Sequence, residues 1–449
     1  MRINRQNIFR YRSEIDGLRS IAVLPVIFFH AGFVKFFGGG YVGVDIFFVI
    51  SGYLISKIIL NDLKKKNFSL INFYERRARR ILPALYFVIC LSLVLSYFWM
   101  LPDEFQNFGQ SIVATILFSN NILLSFTNGY WVGASDLKPL VHTWSLAVEE
   151  QYYVLFPFFL LLIWKFGKRW IFIILSIVFL ASLILAQWYS YNKPEVGFFV
   201  LQTRAWELLI GVFASFYLEK PNRNKFKNLL SFFGLVLIFY SIIFFNRNTP
   251  FPSLYTLVPT IGTFLVIVYA DKGTIVQRFL SYKLLIGIGL ISYSAYLFHQ
   301  PIFALAKLYS NEPLSVNTYL ILIILTLVCS FFSWMYIETP FRNRNNFSSK
   351  FIFSSSIITS AILIIIGLNL NYTHGIPSRI YKNENLIPKD IFKSHLSVVD
   401  YNEGVRRFKK DEFLDNKKIK ILVIGNCEGR DFVNITNETF NKKKNRTCI

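Results

Sequence analysis

Eleven apolar runs, each close to twenty residues long, set the limits on what this chain can fold into. They fall at about 18–35, 42–60, 81–101, 144–164, 170–188, 198–218, 229–245, 254–270, 284–306, 314–337 and 351–370. A membrane-spanning helix needs about 20 mostly apolar residues. Lipid satisfies no backbone polar group, so such runs are expected to fold as helices. The third, fifth, seventh, eighth, tenth and eleventh contain no charged residue. A further run, 110–126, is shorter and is interrupted by Ser119, Asn120 and Asn121. It is expected to lie at the outer surface or to re-enter. With 54% apolar residues, 16% charged residues and 48 Phe in 449 positions, a string of soluble domains is excluded, because soluble domains carry about 25% charge. Disorder and a disulfide scaffold are excluded on the same composition.

The net charge of +22 would suggest nucleic acid in a soluble protein. Here the basic residues sit in short clusters between apolar runs, as the positive-inside rule demands, and no nucleic-acid partner is expected. With the N-terminus inside, the inner loops hold most of them, among them Arg76, Arg77, Arg79 and Arg80, whereas the outer loops before the tail carry only Lys35, Lys138, Lys193, Arg247 and Lys307. Counting 110–126 as a span would reverse every later loop. Eleven spans place the tail, from about residue 371, outside. Met1–Tyr11 is basic but leads into a long apolar stretch, which does not suit a cleavable leader. Cys90 and Cys329 fall in apolar runs and read as core or lipid-facing residues; Cys427 and Cys448 fall in the polar tail and could pair if it lies outside the cytoplasm. No spacing suggests a metal site.

Ionisable side chains within spans are costly and point to function. Arg19 and His30 lie eleven residues apart on the first helix. That is about 16 Å along the axis and close to three turns, so both project from nearly one face. Arg19 near the inner end suits a phosphate, and His30 nearer the outer end suits proton abstraction. The alternatives are that Arg19 snorkels to headgroups and His30 only packs. The segment Phe73–Pro83 is read as a loop with four Arg in five positions. It is either a topology signal touching lipid phosphates or a clamp for an anionic cofactor. Glu149 and Glu150, seven and eight residues after His142, would be buried in the outer leaflet, and at least one should face a cavity. Arg204 and Glu207 read as an internal ion pair. Asp45 is placed near the outer surface. His299, before Pro301, either marks a kink or faces a site beside Ser292 and Tyr296.

These blocks together resemble the acyltransferase-3 family of bacterial membrane O-acyltransferases. The resemblance rests on Glu14-Ile-Asp-Gly-Leu-Arg19 with His30; on Gly40-Tyr-Val-Gly-Val-Asp-Ile-Phe-Phe-Val-Ile-Ser-Gly-Tyr-Leu-Ile55; on Arg76-Arg-Ala-Arg-Arg-Ile-Leu-Pro83; on His142-Thr-Trp-Ser-Leu-Ala-Val-Glu-Glu-Gln-Tyr152; on Arg204-Ala-Trp-Glu-Leu208; and on Ser292-Tyr-Ser-Ala-Tyr-Leu-Phe-His-Gln-Pro301 with Glu338-Thr-Pro340. It covers about residues 12–345. It implies an all-α polytopic fold of about ten core spans (1–345), an eleventh span with its linker (346–380), and an extracytoplasmic α/β segment (381–449) similar to the start of an SGNH hydrolase-like domain. In that segment Ile419–Ile424 reads as a strand, and Asn426 and Cys427 stand where the hydrolase pattern has Asp and Ser. The segment is read as a truncated remnant.

The resemblance further implies acetyl-CoA as donor on the cytoplasmic side. Arg19, Arg77 and Arg80 would bind it, with Arg76 and Arg79 as the other register of the Arg-x-x-Arg element. The implied acceptor is a lipid-linked or surface glycan of O-antigen, capsule or peptidoglycan. In this reading His30 is the general base or takes the acetyl covalently, and Glu149 or Glu150 orients its imidazole. His142, His299, Ser145 and Tyr293 are assigned to the substrate side. The expected location is the bacterial inner membrane, with the N-terminus cytoplasmic and the tail outside. A multi-helix transporter is the competing class, since polar groups inside a bundle also describe a transport path; an inactive family member is the other.

Overall fold

The computed structural model describes residues 11–127, 135–219, 224–310 and 312–380. Its helices, in chain order, begin with α1 (Ser13–His30), α2 (Val34–Phe37), α3 (Gly43–Lys64), α4 (Leu70–Trp99), α5 (Pro102–Ile116) and α6 (Asn120–Thr127). They continue with α7 (Thr143–Trp164), α8 (Gly167–Asn192), α9 (Pro194–Phe199), α10 (Ala205–Tyr217), α11 (Lys227–Phe244) and α12 (Leu257–Tyr269). The last are α13 (Ile275–Leu280), α14 (Lys283–Tyr309), α15 (Val316–Ser333), α16 (Thr339–Arg342) and α17 (Ser349–Tyr372). No strand occurs among the described residues. The chain divides into two units, 1–375 and 376–449. Of the second, only 376–380 is described, and it holds the short turn Pro377–Arg379. The expected strand Ile419–Ile424 and Cys427 lie outside the described residues.

The apolar runs are largely helical, although those at 18–35 and 198–218 are each divided between two helices. Seven segments are long and apolar enough to cross a membrane: Gly40–Lys64, Leu70–Trp99, Thr143–Trp164, Gly167–Asn192, Lys227–Phe244, Val316–Arg342 and Ser349–Tyr372. Many large apolar side chains on the outlying helices face outward, Ile177 and Ile184 on α8 and Ile357 and Ile365 on α17 among them, as lipid-facing surfaces require. Helices α10 and α12 are only 13 residues long. The run expected as one helix at 198–218 is broken at Val200, whose backbone is extended; a short turn, Leu201–Thr203, leads into α10, and the Arg204 guanidinium reaches back to the Phe198 carbonyl (3.0 Å). The run at 110–126 forms the end of α5 and all of α6, hinged at 117–119. At 15 and 8 residues, neither helix reaches the length of a span.

Polar residues at helix starts do what capping chemistry predicts. Ser69, Ser315 and Ser348 accept hydrogen bonds from the backbones of Asn72, Thr318 and Phe351. Small residues let helices approach where side-chain packing would hold them apart. A Cβ on Gly52 of α3 would strike the Leu208 carbonyl of α10, and one on Gly289 of α14 would strike the Asp16 carbonyl of α1. The second contact sets α1 and α14 side by side, one turn from Arg19 and Ser292. Arg12 then ties the start of α1 to α3 and α12, donating to Tyr53 Oη (2.8 Å) and the Ile267 carbonyl (2.7 Å).

Candidate active site

Four long helices and α1 enclose a cavity of about 90 Å³. Arg19 of α1 and Arg77 and Arg80 of α4 line one end. Ser51 of α3, Glu149 and Tyr153 of α7, and Ser292 and Tyr293 of α14 follow, and Ser145 and Tyr296 stand toward the other end. The arginine segment read as a loop is helical, because α4 begins at Leu70. That places Arg80 about 15 Å along the helix and explains how the segment reaches Glu149, which the sequence reading had set apart in an outer layer.

The helical register divides the four arginines. Arg79 is buried and donates to Glu75 (2.8 Å) and to the Phe341 and Phe347 carbonyls, while Glu75 also pairs with Arg344 (3.1 Å). Arg76 reaches Asp62 at 3.5 Å. Arg77 and Arg80, three apart and therefore on one face, turn to the cavity. No carboxylate lies within 4 Å of either among the described residues. Arg77 stands 6.0 Å from the Tyr153 ring centroid, and its Nε has no partner. Arg19 has Asp16 at 3.6 Å. Glu149, which accepts from Tyr153 Oη at 2.9 Å, is the one acid among the lining residues. Three guanidiniums against one carboxylate leave a cavity suited to an anion of two or more charges.

Beyond Tyr296 the histidines gather. The His30 ring lies 5.2 Å from that of His299, and His142 lies 5.5 Å from His299. Nδ1 of His30 is 2.9 Å from the Val26 carbonyl, and Nδ1 of His299 is 2.7 Å from the Tyr296 carbonyl. A carbonyl only accepts, so Nδ1 carries the proton in both rings and Nε2 is left as the base. The expectation that Glu149 or Glu150 orients His30 is corrected here. No carboxylate lies within 4 Å of the three histidines among the described residues, and backbone carbonyls orient the His30 and His299 rings instead. Glu150 is buried with Oε1 unpartnered.

Of the residues assigned to the substrate side, His142 and His299 join His30. Ser145 and Tyr293 line the arginine cavity, and Tyr293 Oη is tied to the Ile81 carbonyl (2.9 Å).

Tyr296, read from the sequence only as a neighbour of His299, joins the two halves. Its hydroxyl donates to the His142 carbonyl (3.0 Å) and lies 2.6 Å from Ser145 Oγ. Its ring stands 5.5 Å from His142 and 5.4 Å from His299. The four-residue spacing of Ser292 and Tyr296, with His299 three further on, is the helical signal that could have found it. Asp136 was missed. It sits between Lys307 (3.8 Å) and Arg247 (4.0 Å), and Gln300 donates to its carbonyl (3.1 Å). Its short turn follows residues outside the description, and no sequence pattern marks it.

The Arg204–Glu207 pair is present (3.0 Å) and includes Asp45 (2.9 Å). Asp45, in the first turn of α3, is fully buried. The Arg204 guanidinium is enclosed by the rings of Trp144, Phe198 and Phe251, 4.8 to 5.3 Å away. None of these three charged residues lines the cavity.

Residues 12–337 match the model of the acyltransferase domain of the acyltransferase-3 family. The chain is 30% identical over 351 residues to an O-acetyltransferase OatA of Staphylococcus aureus (strain NCTC 8325 / PS 47), covering 75% of this chain and 58% of that protein. It is 32% identical over 361 residues to a peptidoglycan O-acetyltransferase OatA of Listeria monocytogenes serovar 1/2a, covering 76% and 57%. The chain thus spans somewhat over half the length of these curated relatives. No solved structure matches it.

Proposed function

The chain belongs to the acyltransferase-3 family, and from that premise we propose that it is a membrane O-acetyltransferase moving an acetyl group from acetyl-CoA to a hydroxyl of a cell-surface polysaccharide. The observation that carries this reading is the cavity with three guanidiniums and one carboxylate that ends at Tyr296, against two of the three clustered histidines. A donor with phosphates at one end and a thioester at the other matches that order of groups. Arg19, Arg77 and Arg80 hold the phosphates, since guanidinium forks pair with phosphate oxygens. The arginine end is then cytoplasmic and the histidine end extracytoplasmic, in keeping with the basic loops and with an inner-membrane location. Peptidoglycan is the acceptor to try first, given the name of the Listeria relative; O-antigen and capsule are the others.

In the proposed reaction the acceptor hydroxyl meets Nε2 of His30, which takes its proton as the oxygen attacks the thioester carbonyl. The new C–O bond forms, the C–S bond breaks, and the departing thiolate receives the proton. His299 and His142 hold the acceptor, and Ser145 and Tyr296 stand at the boundary where the two substrates meet. The test is label transfer with the full chain in lipid nanodiscs, radiolabelled acetyl-CoA and peptidoglycan fragments. Wild-type protein should label the glycan and His30→Ala should not. Folded wild-type protein that labels neither glycan nor itself, or labelling that survives His30→Ala, would overturn the proposal.

A further inference from the structure

The two ends of the cavity differ in chemistry, and the end away from the arginines is capped. The lining residues of α3 run from Val44 to Ile55, a length of about 16 Å. At the capped end stand Phe47 of α3, Leu146 of α7, and Tyr296 and Leu297 of α14. Leu146 and Leu297 are buried. Phe47 packs with its ring 6.3 Å from that of Tyr296 and touches the apolar cores on both sides of α3. Tyr296 cannot swing aside without giving up its contacts to the His142 carbonyl (3.0 Å) and Ser145 Oγ (2.6 Å). A buried tyrosine hydroxyl that loses its partners is costly, so this cap is stiff.

We propose that Phe47, Leu146, Tyr296 and Leu297 set the length of the acyl group that the donor carries, admitting two carbons and rejecting four. The proposal rests on the acyltransferase reading above. With phosphates held at Arg77 and Arg80, the acyl end of the donor meets this cap, and the hydroxyls of Ser145 and Tyr296 flank its carbonyl. Each further methylene then has to displace either the pinned tyrosine or Phe47. Close-packed interiors resist added volume, and one methylene in an apolar pocket is discriminated about ten- to two-hundredfold.

The experiment measures kcat/KM for acetyl-CoA and butyryl-CoA with peptidoglycan fragments, using the full chain in nanodiscs. Wild-type protein should favour acetyl by about tenfold or more. Phe47→Leu should narrow that ratio by about threefold or more, because it removes ring volume at the cap. Tyr296→Phe keeps the ring and frees it, and should narrow the ratio less. It also keeps the test alive if Phe47→Leu does not fold. Acetyl transfer with equal use of butyryl by wild-type protein, or a ratio unmoved in both variants, overturns the gauge and leaves the acyltransferase reading standing. No transfer from either donor by folded wild-type protein overturns both.

Discussion

Glu149 is the one acid in a cavity with three guanidiniums, and its replacement should tighten donor binding. With Arg19, Arg77 and Arg80 charged, the cavity carries a net charge near +2. Glu149→Gln raises it by one and keeps a group able to accept from Tyr153 Oη, now 2.9 Å from the carboxylate. Arg80→Gln lowers it by one. A unit charge about 8 Å from a phosphate, in an effective dielectric of about 20, contributes about 2 kcal/mol, or roughly thirtyfold in Kd. Water entering from the open arginine end screens part of this, so about tenfold is expected in each direction. Arg80→Gln loses more, because a charge-assisted hydrogen bond goes with the charge. The assay is calorimetric titration of acetyl-CoA into protein in nanodiscs at two salt concentrations, without acceptor. Glu149→Gln should bind tighter with a steeper salt dependence, and Arg80→Gln weaker with a shallower one. Weaker binding by Glu149→Gln would refute the reasoning, for Glu149 would then be a hydrogen-bond acceptor for the donor rather than a counter-charge to the arginines.

Three other outcomes follow from the geometry. His30→Ala should lower transfer by about a hundredfold or more with acetyl-CoA affinity within about twofold, measured by titration and label transfer on one preparation, since the His30 ring stands beyond Tyr296 from the arginines. Arg204→Met should cost about 3–5 kcal/mol, because it strands two buried carboxylates, whereas Asp45→Asn leaves one Arg–Glu pair and should cost less; chemical denaturation in detergent ranks them, and the reverse ranking would show that Arg204 is not what holds the two acids. Gly52→Ala should destabilise by about 1–3 kcal/mol, since its Cβ meets the Leu208 carbonyl; an unchanged denaturation midpoint would place α3 and α10 farther apart.

The helical architecture was legible because apolar run length is a strong signal in a chain meant for lipid, although the run at 198–218 divides into two helices. What the runs could not convey was where a helix begins in polar sequence. Phe73–Pro83 looked like a loop because it is charged, but Ser69 caps the helix upstream and Glu75 pairs with Arg79 one turn on. Arg19, His30, Arg77, Arg80 and Glu149 were each found as costly residues within or beside spans. The partnership assigned to Glu149 was wrong because charge identity says nothing about which helices meet. Tyr296 was given no role of its own for the opposite reason: an uncharged aromatic in an apolar run carries no cost signal, and only packing reveals that it stands between the arginine cavity and the histidines.

The arginine segment of α4 shows how one sequence block serves fold and site together. Four guanidiniums within five helical positions cannot face one way, since successive residues turn by about 100°. Arg79 points into the protein, where Glu75 and two backbone carbonyls satisfy it, and Arg76 points to Asp62. Those contacts fasten α4 to the loop after α16 and to the end of α3, and so fix its rotation about its own axis. With that rotation fixed, Arg77 and Arg80 have no freedom to turn toward the same acids, and they remain in the cavity without carboxylate partners. A site that must attract an anion needs charges the protein itself has not neutralised, and here the paired arginines hold the unpaired ones in place.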